Sequence, residues 1–169
     1  MKSLTHVTLL FFILGFTGVG VCQESAPPNI AAALTMKVVK YERNISGGGE
    51  VSIYVLGNPE VQAQLAQGIG KKIGSAVLKS VEGGDALPGN PPSILFVGSP
   101  SKLESALEYT RGQKILSATN IPDLVPKGVT LGLAVGDDGK PRIVINLTSS
   151  SEENLNWNAA IMKVAQTIK

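Results

Sequence analysis

The 169-residue chain carries fifteen Lys and Arg against thirteen Asp and Glu, a formal charge of +2. Hydrophobic residues make up 43% and charged residues 17%, which suits one folded domain and excludes a disordered chain, since disorder goes with few apolar residues and high net charge. So small a charge argues against nucleic acid as a partner, because binding phosphates takes clustered Lys and Arg.

Residues 1–22 have the layout of a secretory signal peptide. Lys2 supplies a positive start, Val7–Val21 holds no charged residue, and small residues precede Cys22. The run is short for a membrane-spanning helix, which needs ~20 residues. Lipid attachment at Cys22 is the minority alternative, because Val21 stands where a lipidated Cys wants Gly, Ala or Ser. Cleavage after Gly20 or Cys22 is expected, giving a periplasmic or secreted protein. The only Cys is Cys22 and the only His is His6. Cleavage after Cys22 therefore leaves 147 residues (169 less 22) without either. That excludes a Cys nucleophile, a histidine base, zinc sites built on His or Cys, and disulfides. No metal and no cofactor is expected.

Residues 23–29 are polar, with Pro27 and Pro28, and predict a flexible lead-in before a domain spanning 30–169. Asn29 is placed to cap a first helix, with Ile30, Leu34, Val38 and Tyr41 on one face and a stop near Gly47–Gly49. Next, Ser52–Pro59 is similar to Ser93–Pro100, 41 residues later: an apolar run, then Gly, a small polar residue and Pro, then a helical pattern. Apolar runs of this kind suit strands buried on both faces. The polar residue caps, and Pro fits the first helical turn. The helices that follow carry Val61, Leu65 and Ile69, and Leu103, Leu107 and Thr110. Between them Ala76–Val81 reads as a strand and 83–92 as a loop. Lys114–Ala118 is a short strand, and 120–127, with Pro122 and Pro126, a loop with a turn of helix. Val129–Val135 and Arg142–Leu147 flank Asp137-Asp138-Gly139-Lys140, a hairpin signal. Ser149, Ser150 or Ser151 is placed to cap a last helix whose inner face is Trp157, Ile161, Val164 and Ile168. These elements predict a single three-layer α/β domain: a mostly parallel sheet of about six strands with an antiparallel C-terminal hairpin, and helices on both faces.

Little in this pattern carries catalysis. Ser99-Pro100-Ser101-Lys102 is an S-x-x-K string, but neither S-D-N nor K-T-G accompanies it, and a helix cap is employment enough for Ser99. Glu104 and Glu108 read as one solvated helix face. Asp137 and Asp138 lack the ligand spacing of a calcium loop. Asn44 and Asn146 head sequons by pattern but are not expected to be glycosylated; Asn146, at a strand end just before a helix, reads more simply as a local backbone partner, and Trp157 reads as core. A ligand site, if present, falls in the crevice beyond the carboxyl ends of the parallel strands, where Asn58, Ser99, Thr119 and Asn120 offer amides and hydroxyls without charge.

Met36–Asn44, Val51–Gly57, Ser93–Gly98, Lys114–Thr119, Gly128–Gly132, Pro141–Leu147 and Asn154–Ala165 occur in the order seen in the YfiR-like family, and the resemblance covers residues 30–169. It implies a secreted or periplasmic α/β protein without catalytic activity. The family's namesake represses a membrane diguanylate cyclase through that enzyme's periplasmic region, lowering cyclic di-GMP and biofilm formation. The implied partner is thus the periplasmic region of an inner-membrane cyclase or sensor kinase, with a homodimer left open. A small-molecule-binding or sensor protein using the strand-end crevice is the alternative. Some relatives carry disulfides, for which this chain lacks the cysteines.

Overall fold

The computed structural model describes residues 23–169, so the predicted signal segment and any lipid at Cys22 lie outside the described residues. Along the chain run β1 (Gln23–Ser25), α1 (Pro28–Val39), α2 (Arg43–Ser46), β2 (Glu50–Leu56), α3 (Pro59–Ala66), β3 (Lys72–Ile73), β4 (Ala76–Gly84), β5 (Ile94–Val97), α4 (Leu103–Gln113), β6 (Leu116–Thr119), β7 (Leu131–Gly136), β8 (Pro141–Asn146), α5 (Leu147–Glu152) and β9 (Gln166–Ile168). Among the described residues nine strands form one sheet, in the order β3-β4-β2-β5-β6-β7-β8-β9 with β1 also on β7. Strands β4, β2, β5, β6 and β7 are parallel, and β7–β8 is the expected antiparallel hairpin.

The 41-residue internal similarity has a direct structural meaning. Ile53 pairs with Ile94, Tyr54 with Leu95, Val55 with Phe96 and Leu56 with Val97, so the two copies lie side by side in the register that aligns their sequences. Ser52 and Ser93 close the pair reciprocally: each hydroxyl accepts the other's backbone N–H, at 3.1 and 3.2 Å. Alternation along these strands then sorts side chains between two helical layers. Val51, Ile53, Val55, Ile94, Phe96, Leu116 and Leu131 face α1 and α3. Leu56, Leu95 and Val97 face α4, with Ala106, Leu107, Leu124 and Val129.

Four local expectations are corrected. Residues 23–29 are not a loose lead-in: Gln23–Ser25 pair antiparallel with Ala134–Gly136, beyond the point where β6 leaves the edge of β7, and Ala26 is buried. Helix α1 starts at Pro28 without a side-chain cap. Pro presets the helical φ and has no N–H to satisfy, which puts Asn29 inside the first turn. Helix α5 is capped by Asn146, whose Oδ1 accepts the Ser149 N–H at 3.1 Å, and not by the serine run.

The predicted last helix is the fourth. Its apolar spacing is real, since Ile161 is buried and Trp157 packs on the core. The backbone nevertheless breaks after Glu152, Asn154 takes φ 57°, a short 3-10 turn spans Ala159–Lys163, and the chain ends in β9, parallel to β8. Hydrogen bonds to a neighbouring segment replace helical ones. Arg43 N–H donates to Asn156 O at 2.9 Å, and Asn158 N–H to Tyr41 O at 2.7 Å.

Candidate functional site

The crevice residues sit where the strand order places them, at the carboxyl ends of β2, β5 and β6, and each already has local work. Asn58 Oδ1 accepts the Val61 N–H at 3.1 Å and caps α3. Ser99 occupies the matching position before Pro100 but does not cap. Its Oγ lies 3.0 Å from Ser101 Oγ, and the chain enters α4 through a 3-10 turn, Pro100–Lys102. Thr119 is buried, donates to Val97 O at 2.7 Å and accepts the Ile121 N–H at 3.1 Å. Asn120 donates to Ala26 O at 2.9 Å and so ties β1 and its exit to the sheet, while its Oδ1 is buried without a hydrogen-bond partner among the described residues.

Gly57 and Gly98 explain why these loops leave little room. A Cβ on Gly57 would lie 2.8 Å from Ser99 Cβ, and one on Gly98 would collide with Asn58 Cβ. The two strand-to-helix turns press on each other through their glycines, which leaves no gap for a ligand between Asn58 and Ser99. The equivalence of Asn58 and Ser99 in sequence is thus not an equivalence in energy. Asn58→Ala is expected to cost about 0.5–2 kcal/mol as a lost helix cap, and Ser99→Ala less than about 0.5 kcal/mol. Urea unfolding of both variants checks this, and equal losses would contradict the assignment of caps.

Open volume lies elsewhere. A cleft of about 440 Å³ is lined by Ser52, Tyr54, Ser80 and Glu82 of the sheet and by the proline-rich 87–92 loop. A groove of about 310 Å³ runs between α1 and α3. Tyr54 Oη donates to Ala86 O at 2.9 Å and Tyr109 Oη to Pro88 O at 3.1 Å, which fixes the loop over its cleft. None of Asn58, Ser99, Thr119 and Asn120 lines either space.

Two buried carboxylates escaped the sequence reading. Glu42 is fully buried and accepts the Ile45 N–H and the Asn156 N–H, each at 2.7 Å. It caps α2 and fastens the C-terminal segment to it. Glu153 is fully buried as well; its Oε2 accepts the Ser117 N–H at 3.0 Å and the Thr130 hydroxyl at 2.7 Å, and its Oε1 has no partner among the described residues. Burial pushes the Glu153 carboxyl above the usual carboxylate range, against the opposing hydrogen bonds from Ser117, Thr130 and Thr110. At the hairpin tip Asp138 moves the other way. The Lys140 backbone N–H holds it below the ordinary range, desolvation opposing and Arg142 adding to the lowering. Among the described residues no group of three or more His, Cys, Asp or Glu is placed to hold a metal ion, and no helix is long and apolar enough to cross a membrane.

The architecture is shared with a solved structure, a conserved domain protein from Vibrio cholerae O1 biovar El Tor, at a TM-score of 0.54 and 13% identity. The match covers 86% of this chain and 61% of that one, so this chain spans under two thirds of its neighbour's length. At that identity the likeness is one of fold. No curated protein matches the sequence. The YfiR/HmsC-like family profile matches residues 28–166, from the first residue of α1 into β9, and the chain therefore belongs to the YfiR/HmsC-like family.

Proposed function

We propose that the protein is a non-catalytic periplasmic regulator that binds the periplasmic region of an inner-membrane diguanylate cyclase and holds its output down. The observation that carries this reading is the family assignment across residues 28–166, in a family whose namesake works in this way. The absence of catalysis is part of the proposal. Ser99, the serine that opens the S-x-x-K string, has its hydroxyl against that of Ser101 and not against a base. The crevice alternative is the weaker reading, because Asn58, Thr119 and Asn120 are engaged in capping and in tying strands together.

Deleting the gene is expected to raise cellular cyclic di-GMP and surface attachment, and the full chain supplied in trans is expected to restore both. A version starting at Gln23, confined to the cytoplasm, should not restore them. Unchanged cyclic di-GMP in the deletion strain, or full rescue by the cytoplasmic version, would sink the reading.

A further inference from the structure

The outer surface of the α1/α3 layer joins an apolar groove to an unbalanced set of charges. Helices α1 and α3 pack along each other, and the groove between them exposes Ala33 beside the more buried Ala32, Met36 and Leu65. Its usable length, Asn29 to Met36, is about two helical turns, or ~10 Å. Lys71 and Lys72 line one end, and Glu60 stands at the other. Lys37 and Lys40 follow Ala33 by four and seven residues, so they continue its stripe along α1 toward the lysine end. All four lysines are exposed, and none has a carboxylate within ion-pair distance among the described residues. Lys40 instead lies 5.0 Å above the Tyr41 ring. Ile69, in the segment between α3 and Lys71, is 50% exposed. This excess is local, because residues 23–169 together carry fourteen Lys and Arg and thirteen Asp and Glu.

We propose that this groove is a docking site for an acidic amphipathic helix of a partner protein, its apolar side chains seated over Ala33, Met36 and Leu65 and its carboxylates facing Lys71 and Lys72. Charge complementarity selects the occupant: four cations without counter-ions call for a segment rich in Asp or Glu, and a narrow apolar trough between two helices suits a third helix laid into it. A second copy of this chain fits poorly, since its own groove returns one Glu60 for four lysines. An anionic lipid surface fits poorly too, because the apolar surface is recessed and Ile69 is the one large apolar residue protruding there. The existence of a protein partner rests on the regulatory reading above, and the experiment separates the two.

The test places the photocrosslinking residue p-benzoylphenylalanine at Ala33 of the full chain in living cells, with the same residue at Glu108 on α4 as the control. The expected result is an adduct from Ala33 and not from Glu108, whose crosslinked peptide is an acidic helical stretch of a membrane protein's periplasmic region. Lys71→Glu with Lys72→Glu should reduce that adduct by about tenfold or more, with the thermal melt of the purified variant unchanged. Lys37→Glu with Lys40→Glu should act in the same direction. No adduct, an adduct with lipid or with another copy of this chain, or an adduct indifferent to charge reversal would overturn the proposal. An acidic helix belonging to a protein other than a cyclase would leave the groove assignment standing and remove the cyclase reading. A cyclic di-GMP phenotype without an adduct at Ala33 would do the reverse.

Discussion

Glu42→Ala is expected to destabilise the protein by about 2–4 kcal/mol, on the order of 5–15 °C in melting temperature. The side chain is fully buried and both its oxygens are used, one by the Ile45 N–H and one by the Asn156 N–H. Alanine leaves both donors without a partner away from water, and each orphaned donor costs about 1–3 kcal/mol. Glu42→Gln should fall between wild type and Glu42→Ala. Its carbonyl oxygen keeps one acceptor, while its NH₂ group points a donor at a donor. The loss should also be regional. Tyr41–Arg43 is bonded to Asn156–Asn158, so amide exchange ought to accelerate in residues 153–158 more than in the parallel strands. Chemical denaturation and hydrogen exchange on the two variants check this. A Gln variant as damaged as the Ala variant, or a loss spread evenly over the sheet, would contradict the two-ended anchor.

The fold was legible where a single residue's environment is set by its neighbours in sequence. The apolar runs Ile53–Leu56 and Ile94–Val97 are bounded by Gly and Pro, and they became central parallel strands because such runs can be covered on both faces. The same logic failed at the C-terminus. Trp157, Ile161 and Ile168 have helical spacing, yet a backbone already committed to Glu42 and to the β8 edge cannot also close helical hydrogen bonds. Periodicity reports which residues seek the core. It does not report which backbone partner satisfies their amides. Gln23–Ser25 shows the mirror case: three polar residues with no strand signal are held by a free stretch of β7 left uncovered when β6 ends at Thr119.

The candidate site was half legible for a related reason. Topology alone put Asn58, Ser99, Thr119 and Asn120 at one end of the sheet. Whether that end is open depends on how closely the two glycine turns approach, and no spacing rule encodes a distance between loops 41 residues apart. The lysines on this layer come from two separate stretches: Lys71 and Lys72 reach the end of the groove from the segment after α3, and Lys37 and Lys40 stand on α1, which packs against α3. Each stretch read alone is an ordinary solvated surface.

The buried Glu153 is expected to contribute stability that falls as pH rises, and Glu153→Gln to abolish that contribution. Its carboxyl is held above the usual range by burial, whereas in the unfolded chain it titrates near about 4.3. The folded state therefore binds the proton more tightly than the unfolded state. A group of this kind contributes stability that is fully present below the unfolded value and is lost as pH rises through the folded one, at up to about 1.4 kcal/mol per pH unit. The structure supplies the geometry. Oε2 takes two donors from Ser117 and Thr130, while Oε1 is buried with none. A proton on Oε1 removes the charge from a buried atom that no donor reaches among the described residues. The charged groups nearby on α4 and α5 are already engaged: Arg111 Nε lies 2.7 Å from Glu152 Oε2, and Lys114 Nζ donates to Glu152 O at 2.8 Å. His6 is the only histidine of the chain, so no imidazole in residues 23–169 competes for the effect between pH 5 and 8. Glutamine keeps the acceptor toward Ser117 and Thr130 and carries no charge to bury. Melts of residues 23–169 at pH 4, 5, 6, 7 and 8 should find wild type and Glu153→Gln close together at the acidic end and separating above it, with the variant the more stable at pH 8. Parallel curves across the range would show that Glu153 does not gain its proton on folding. A variant less stable at every pH would show instead that the carboxylate form is the one the site is built to hold.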